Sequence, residues 1–464
     1  MSFNSFENYP LAWKPDKSKL QPPYYLSLAE DLEQQITSGF LQPGTKLPPQ
    51  RELADFLELN YTTITRVYNL CKEKGLVYGR AGSGTFVANY KERDTTISFP
   101  MEQTAIEMGG ITCFSENTEL VEQATRSVLQ KSYLGTLYDY SYPLGQPHQL
   151  AAAVRWLEML NVHCDISQLA ITTGTQNALT IALMALFEPG AALAVEEYTY
   201  ANFIELAKIL HLVLVPVAGD AQGMLPDALE RQCRLQKISG IYLMPSCSNP
   251  STVAMPQKRR EELAQTIESN QLILIEDDIS GWLYAATGEP QPSSFFDLLG
   301  GQSVYVCGMT KSLCAGLRIA YMVFGDNVRD RILHCRDNTN LKTSGLDAEI
   351  ITELLLSGVA QKIIRRKLAL TRKACALYAK YFPASAIAGA SALSYYKWLS
   401  LPERKSMSEV EDELYKLGVH VYHSSRFAVT PVPKQDFLRL SLCSAGDLRR
   451  LEQGLRIIKN YIGQ

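Results

Sequence analysis

The sequence lacks the close spacings of cysteine and histidine that metal centres usually require. Its 464 residues include ten cysteines, which run from Cys71 to Cys443 without a single CxxC pair. The six histidines form neither an HxxxH nor an HExxH pattern. Zinc sites in proteins depend on ligands at such close spacings. The sequence therefore predicts no metal site.

A long hydrophobic run and a surplus of one charge sign are also missing. The longest apolar run, near residues 178–187, is about half as long as a membrane-spanning helix. Lys and Arg total 45 against 48 Asp and Glu, so the net charge of −3 argues against coating nucleic acid or membrane through global charge. Residues 1–10 are polar and do not resemble a signal peptide. We expect a cytoplasmic protein with reduced thiols.

Residues 23–88 have the pattern of a small helical module. Apolar residues repeat at helical spacing from residue 28 to residue 36, and a second short helix is predicted near residues 50–57. Asn60 is a plausible N-cap of a third helix, which Gly75 ends. Two short strand-like runs, at residues 76–78 and 85–87, follow. Three helices and a β-hairpin in this order predict a winged helix-turn-helix.

This module resembles the GntR winged-helix DNA-binding domain. The resemblance rests on the runs LPPQRELA at residues 47–54, Thr63-Ile64 with Tyr68, and GSGTFV at residues 82–87. It implies that the third helix enters the major groove and that the wing reaches the minor groove. The DNA-binding residues it implies are Thr62, Thr63 and Arg66 on the outer helix face, Arg51 and Arg80 on phosphates, and Gly82 and Gly84 in the wing.

The charge of this module does not by itself support DNA binding. Residues 1–90 contain nine basic and nine acidic side chains, so the support is confined to the basic stretch from Arg66 to Arg80. Helix-turn-helix packing also occurs in modules that bind only protein. Tyr61 is a further departure, because many relatives have an arginine there, and the DNA sequence that the third helix reads stays open.

From about residue 142 the chain alternates between strands and helices. Strands are predicted at residues 169–173, 191–196, 212–217, 240–244, 272–276, 304–308 and 319–324, with helices between several of them. This pattern is typical of an α/β fold with a mostly parallel, buried sheet. Ligands bind such sheets at the carboxyl ends of the strands.

A lysine lies at one of these strand ends. Lys311 follows the strand at residues 304–308, Thr310 precedes it, and Arg318 comes seven residues later. Asp277 ends another strand. A lysine amine forms a Schiff base with an aldehyde, Thr and Arg side chains bind phosphate, and a carboxylate pairs with a pyridinium nitrogen. The set therefore suits an aldehyde cofactor that carries a phosphate.

Residues 115–464 resemble the fold-type I pyridoxal-phosphate enzymes, the aspartate aminotransferase superfamily. The resemblance rests on six blocks in family order, around Tyr142, Thr175, Tyr200, Asn249, Lys311 and Arg439. It implies pyridoxal 5′-phosphate as cofactor, with Lys311 as the catalytic lysine. The cofactor-binding residues it implies are Lys311, Asp277, Asn249, Tyr200, Thr175, Gln176, Thr310 and Arg318. Arg439 would bind the carboxylate of a substrate or effector, beside Tyr142.

One position departs from the family pattern. A tyrosine usually follows the ring-nitrogen aspartate by two or three residues, but this chain has Ile279 and Ser280 there. Cofactor binding should survive, whereas efficient transamination is less secure. Asp277 and Asp278 are both candidates for the residue that faces the ring, and the spacing to the strand end favours Asp277.

The combination of both modules resembles the MocR subfamily of transcriptional regulators. It predicts a winged helix at residues 1–88, a linker at 89–115, a cofactor-binding domain at 116–340 and a small α+β domain at 341–464. The resemblance implies a head-to-tail homodimer on operator DNA, in which an amino-compound effector forms an external aldimine and alters DNA binding. Two alternatives stay open: an active aminotransferase with an accessory N-terminal domain, and a regulator that senses pyridoxal phosphate itself.

Overall fold

The computed structural model describes most of the chain in two compact units, Met1–Asp94 and Thr95–Gln464. The described residues are 13–37, 40–41, 44–73, 76–80, 84–87, 95–97, 104–112, 114, 117–383, 389–402, 407–429 and 435–463. No helix among them is both long enough and apolar enough to cross a lipid bilayer.

The first unit has the predicted helices and hairpin. They are α1 (Tyr24–Thr37), α2 (Gln50–Leu57), α3 (Tyr61–Glu73), β1 (Val77–Arg80) and β2 (Gly84–Val87). Asn60 begins α3 as expected, because its Oδ1 accepts a hydrogen bond from the backbone N–H of Thr62 at 3.0 Å. Ile64, Val67 and Cys71 are fully buried on the inner face of α3. The winged helix predicted from the sequence is confirmed.

The second unit contains a seven-stranded sheet and its covering helices. In chain order the elements up to the end of this sheet are β3 (Ile106–Glu107), α4 (Thr118–Val128), α5 (Pro147–Met159), β4 (Leu169–Thr172), α6 (Thr175–Leu186), β5 (Ala192–Glu196), α7 (Ala201–Ile209), β6 (Val213–Val217), β7 (Gly219–Asp220), β8 (Gly223–Met224), α8 (Pro226–Leu235), β9 (Gly240–Leu243), α9 (Gln257–Ser269), β10 (Ile273–Asp278), α10 (Gly281–Ala285), α11 (Phe295–Leu299), β11 (Ser303–Gly308), α12 (Met309–Ser312) and β12 (Ala320–Phe324).

The order of the strands in this sheet is β4-β12-β11-β10-β9-β5-β6. Only β12 runs antiparallel to its neighbours β11 and β4 among these seven described strands. Residues alternate between the two faces: Tyr305 and Cys307 of β11 pack on one side with α5, and Val304 and Val306 pack on the other with α6. All seven strands predicted from the sequence are present, and the α/β fold is confirmed.

The C-terminal part of the second unit forms a smaller layer. Its elements are α13 (Asp326–Thr339), α14 (Gly345–Leu356), α15 (Val359–Tyr381), β13 (Tyr396–Ser400), α16 (Met407–Lys416), β14 (Val419–His420), β15 (Tyr422–His423), β16 (Phe437–Ser441) and α17 (Leu448–Ile462). The strands β13, β16 and β15 form an antiparallel sheet in that order. Strand β3, from the predicted linker, pairs in parallel with β14. The domain boundaries at 88, 115 and 340 stay predictions.

Helix α15 belongs to two hydrophobic cores. Its first half contributes Ile363 and Leu368 to the core that contains Tyr305 of the large sheet. Its second half contributes Ala374 and Tyr378 to the core of the smaller layer. The helix therefore connects the two layers of the second unit through 23 continuous residues.

Candidate functional site

The carboxyl end of β10 places two aspartates side by side. The side chain of Asp277 is buried, and its Oδ2 accepts a hydrogen bond from the hydroxyl of Tyr242 at 2.8 Å. Its other oxygen, Oδ1, is buried without a hydrogen-bond partner among the described residues. Burial raises the pKa of Asp277 to about 7, against the opposing effect of the Tyr242 hydroxyl. Asp277 thus has one acceptor available for a ligand.

Asp278 uses both of its oxygens within the protein. Oδ1 accepts from the backbone N–H of Ser280 at 3.0 Å and of Gly281 at 2.6 Å. Oδ2 accepts from the hydroxyls of Ser246 at 3.1 Å and Tyr305 at 2.8 Å. A carboxylate with four donors is fully engaged, so Asp278 stabilises the turn after β10.

Lys311 lies in α12, directly after β11. Its ammonium group donates a hydrogen bond to the backbone carbonyl of Ile111. The backbone around it is held by Lys367 of α15, whose Nζ donates to the carbonyl of Lys311 at 3.0 Å and of Leu313 at 3.1 Å. Lys367 itself is 2% exposed. The loop that carries Lys311 is therefore anchored to α15.

The start of α6 and the loop after α12 form a cradle with almost no spare room. A Cβ placed on Gly174 would lie 2.6 Å from Nη2 of Arg318, and one on Gly308 would lie 2.5 Å from Oγ1 of Thr175. Thr310 is close as well, with its Oγ1 3.8 Å from the second of these Cβ positions. Gly174 has a φ of +81° and precedes the free N–H groups of α6. Such a helix start favours a bound anion.

Gln176 stands in the first turn of α6, directly after Thr175. Its backbone carbonyl accepts a hydrogen bond from the hydroxyl of Thr180 at 2.8 Å. The structure thus places all four predicted phosphate-binding residues at this helix start or on the facing loop: Thr175, Gln176, Thr310 and Arg318.

Arg439 is buried beside Asn249. Its Nη1 donates to Oδ1 of Asn249 at 3.2 Å, and its Nη2 donates to the backbone carbonyl of Gly109. The guanidinium lies 4.8 Å from the ring centre of Phe427 and 5.5 Å from that of Tyr422. Burial lowers the pKa of Arg439 to about 10. Its Nε has no partner among the described residues, so the group keeps a donor for a further ligand.

Tyr200 lies between these groups. It is the residue before α7, and burial raises the pKa of its hydroxyl to about 12. Asp277 raises this pKa further, whereas Arg439 and Arg318 lower it, and electrostatic interactions of this kind act over short distances. Tyr200 is therefore within electrostatic range of Asp277, Arg439 and Arg318.

Tyr142, like Arg318, has an exposed side chain in the structure. Its side chain is 52% exposed, and its backbone has a positive φ of 54°. No hydrogen bond joins its side chain to another predicted site residue within the part of the chain that is described. Its role stays a prediction.

Sequence reasoning missed four residues of the site, and three of them are Tyr242, Tyr305 and Lys367. The two tyrosines lie inside buried strands, where an aromatic residue is normally part of the core. Tyr395 was missed as well: its hydroxyl lies 2.9 Å from Oγ of Ser280 and donates to the carbonyl of Ile279. A phenol thus reaches the position after the aspartates from the start of β13. In the sequence, the available signal for these residues was a polar side chain within an otherwise apolar run.

The predicted DNA-binding residues of the first unit lie at the surface where they are described. Thr62 and Arg66 are exposed on α3, Thr63 is partly buried, and Arg51 is exposed on α2. The guanidinium of Arg51 lies 5.9 Å from the ring centre of Tyr61, and that of Arg66 lies 5.9 Å from the ring centre of Tyr25.

The wing is described only in part. Gly84 is exposed and has a φ of +113°, which favours glycine. The backbone of Arg80 pairs with that of Gly84 in the hairpin. The side chain of Arg80 and all of Gly82 lie outside the described residues.

Comparison with family models divides the chain in the same way. The model "Bacterial regulatory proteins, gntR family" matches residues 24–87. The model "Aminotransferase class I and II" matches residues 110–458, about three quarters of the chain.

Relatives and solved structures agree with both matches. The chain is 32% identical over 463 residues to the "Uncharacterized HTH-type transcriptional regulator YdeF" of Bacillus subtilis (strain 168), covering 100% of this chain and 99% of that protein. It is 25% identical to the "Uncharacterized HTH-type transcriptional regulator YjiR" of Escherichia coli (strain K12), covering 88% and 92%.

Among solved structures, an archaeal alanine:glyoxylate aminotransferase has a TM-score of 0.71 at 20% identity, covering 77% of this chain and 91% of that one. The α-aminoadipate aminotransferase LysN of Thermus thermophilus has a TM-score of 0.70 at 22% identity, covering 78% and 92%. These two likenesses concern the fold. Together with the family models and the full-length relatives, they show that the chain belongs to the aminotransferase class I and II family and, with its gntR-type winged helix, to the MocR-type transcriptional regulators.

Proposed function

We propose that the chain is a DNA-binding transcriptional regulator whose second unit holds pyridoxal 5′-phosphate and an amino-compound effector, and that the effector alters operator binding. The observation that carries the proposal is the buried, unpartnered Oδ1 of Asp277. A buried carboxylate oxygen without a donor is costly, and the protonated ring nitrogen of this cofactor supplies one. Pyridoxal phosphate is the cofactor of this family.

The residues present fit the cofactor at four further points. The cradle around Gly174 and Arg318 has the N–H groups and guanidinium that suit a phosphate. Lys311 supplies the primary amine, held in place by the anchor from Lys367. Tyr200 supplies an aromatic face beside Asp277, and the amide of Asn249 would contact the 3′-oxygen of the ring. We assign these roles to Lys311, Asp277, Asn249, Tyr200, Thr175, Gln176, Thr310 and Arg318.

Arg439 would bind the carboxylate of the effector. When bound, the cofactor supplies an aldehyde that reacts reversibly with primary amines. An effector with both an amine and a carboxylate would compete with Lys311 at one end and pair with Arg439 at the other. The free Nε of Arg439 and its buried position would make that pairing strong.

The DNA-binding role is assigned to the first unit. Thr62, Thr63 and Arg66 would face base edges, Arg51 and Arg80 would contact phosphates, and Gly82 and Gly84 would let the wing approach the DNA backbone. Regulation requires that the effector bind two arrangements of the protein with different affinity. Since operator DNA is the partner, we infer that the protein acts in the cytoplasm.

We further infer a head-to-tail homodimer. Tyr133, Tyr138 and Tyr140 leave between 38% and 79% of their surface exposed, an unusual amount for adjacent aromatic residues. A second copy is the partner that would cover them. Light scattering on the purified protein should give twice the monomer mass, and Tyr138→Asp with Tyr140→Asp should give monomers; a monomeric wild type would contradict the dimer.

Transamination is the second candidate function, favoured by the presence of a complete lysine, aspartate and arginine set in one region. The test measures cofactor, turnover and DNA binding on the same preparation. The wild type should bind pyridoxal phosphate with visible absorbance that an amino acid alters, and Lys311→Ala should lose that absorbance. Lys362→Ala, at an exposed position of α15, is the matched control. Steady conversion of an amino acid and a keto acid would favour the enzyme over the regulator.

DNA binding is measured with a fragment from upstream of the protein's own operon. Arg66→Ala and Arg80→Ala should each weaken binding, and binding should fall steeply with salt. Lys19→Ala, at a side chain that is 81% exposed outside α3 and the wing, is the control. Unchanged affinity in both arginine variants would refute the assigned DNA-binding face. A change on adding the cofactor without any amine would favour a sensor of the cofactor itself.

A further inference from the structure

A cavity of about 670 Å³ lies beside the loop that carries Lys311. Its walls are the start of α4, the loop after α12, the middle of α15 and the segment after β16. The volume is in the range of small-molecule sites. Of the residues assigned above to the cofactor and effector, only Thr310 is among the described residues that line it.

One wall of the cavity contains a buried ammonium group without a carboxylate partner. Lys367 is 2% exposed and donates only to two backbone carbonyls, those of Lys311 and Leu313. None of the ion pairs formed by described residues includes it. A buried charge is costly unless an opposite charge compensates it, and an ammonium group has three hydrogens to donate. Lys367 can therefore offer its third hydrogen and its charge to an anion.

Asn117 provides a second donor in the lining of the cavity. It is 4% exposed, it lines the cavity, and its Nδ2 has no hydrogen-bond partner among the described residues. Its Oδ1 accepts from Nη1 of Arg366 at 3.4 Å, which leaves the amide N–H groups available. Asn117 is also the N-cap of α4, and its side chain forms no capping bond. A helix start of this kind attracts negative charge.

The acidic residues of the cavity do not cancel this preference. Glu107 is already engaged: Oε1 accepts from the backbone N–H of Gly109 at 2.8 Å and of Gly110 at 2.6 Å, and Oε2 lies 2.7 Å from Nδ1 of His420. Glu122 is exposed to solvent, as is the basic Arg126 nearby. The interior charge that is left uncompensated is that of Lys367.

Apolar side chains complete the lining. Phe114 and Val121 are partly buried against the large core, and Leu313 is 3% exposed. We propose that this cavity is a second ligand site, which binds an amphiphilic carboxylate. The carboxylate pairs with Lys367 and Asn117, and a short hydrocarbon chain packs on Phe114, Val121 and Leu313. The proposal goes beyond the proposed function and does not depend on an effector at Lys311.

The test compares octanoate with octan-1-ol, which has the same chain without the charge. Calorimetric titration of the full-length, cofactor-loaded protein should show octanoate binding at least 10-fold more tightly than octan-1-ol. Equal affinity for the two, or no binding of octanoate at millimolar concentration, would overturn the proposal. Octanoate would also fail to bind if a second copy of the chain filled the cavity.

Two variants distinguish a loss of ligand binding from a general loss of stability. Asn117→Asp keeps the shape and remains a good N-cap, yet it places a negative charge where the carboxylate binds. It should weaken octanoate at least 10-fold and leave octan-1-ol unchanged; unchanged octanoate affinity would refute the placement. Lys367→Met should have the same selective effect, with Lys362→Met on the same helix as control. If Lys367→Met does not fold, Asn117→Asp decides.

Discussion

Asp277 and Asp278, the last two residues of β10, point to opposite sides of the sheet and differ in how many hydrogen bonds their carboxylates receive. On one side Asp278 receives four hydrogen bonds from Ser280, Gly281, Ser246 and Tyr305. On the other side Asp277 receives one, from Tyr242, and keeps a buried oxygen without a described partner. Adjacent residues of a strand point to opposite faces, so identical side chains meet different surroundings. The satisfied side maintains the fold, and we propose that the unsatisfied side binds a ligand.

The largest expected effect is on the satisfied side. Asp278→Asn replaces an acceptor by an amide that faces the hydroxyl donors of Ser246 and Tyr305. We expect it to lower the free energy of unfolding by about 3 kcal/mol, because buried donors lose their acceptor. Urea unfolding of the cofactor-free protein measures this loss. A loss as small as that of Asp277→Asn would remove the distinction between the two sides.

A substitution of Asp277, on the unsatisfied side, should mainly affect the binding of pyridoxal phosphate. Asp277→Asn keeps an acceptor for Tyr242, so near pH 4, where folded Asp277 is protonated, we expect a stability change within about 1 kcal/mol. The amide has no negative charge to pair with a protonated ring nitrogen, so pyridoxal phosphate should bind about 30- to 100-fold more weakly, the value of one charge-assisted hydrogen bond. Titration of cofactor-free protein with pyridoxal phosphate measures it. Wild-type affinity in this variant would assign the ring contact to another residue.

The pH dependence of stability sharpens the same contrast. Because burial raises the pKa of Asp277 to about 7, the folded chain retains a proton that the unfolded chain has released above about pH 4. The stability that this group contributes is therefore present at low pH and is lost as the pH rises towards 7.

Two other buried carboxyls titrate in the same direction. Burial raises the pKa of Glu196 to about 7 and that of Glu276 to about 8. Between pH 5 and pH 7, Asp277→Asn should reduce the fall in unfolding free energy of the cofactor-free protein by about 2 kcal/mol. Identical slopes in variant and wild type would show that Asp277 is ionised throughout.

The smallest effect is expected at Tyr242. Tyr242→Phe removes the one donor to Asp277 among the described residues and should cost about 1 kcal/mol of stability. The loss of that bond should also raise the pKa of Asp277, because the hydroxyl favours the charged form. In the cofactor-free protein, the fall in unfolding free energy with rising pH would then extend to higher pH. Tyr305→Phe is the matched control on the Asp278 side, where Ser246 and two backbone N–H groups remain.

The sequence predicted the parts that rest on repeated patterns. Continuous apolar runs indicated all seven strands of the large sheet, and residues such as Ile64 and Val67 indicated the inner face of α3, because burial imposes a periodicity on many residues at once. Lys311 and Asp277 were predicted from their position at strand ends, and Arg318 from its spacing to Lys311.

What the sequence could not predict depends on single contacts. The two-residue strand β3 is too short to show a period, and its pairing with β14 joins residues more than 300 positions apart. Tyr242 and Lys367 act through one or two hydrogen bonds each, which leave no trace in a pattern of apolar residues. The spacing to the strand end favoured Asp277 over Asp278, but it gave no information on the donors around each oxygen.

Helix α15 has a consequence for how the second unit gains and loses its structure. Each half of the helix is an integral part of a different core, so neither core can melt without removing packing partners from a helix that the other core requires. Isolated helices of half this length have little stability in water. The layers on either side of α15 are therefore one cooperative folding unit, even though sequence and sheet topology divide them into two.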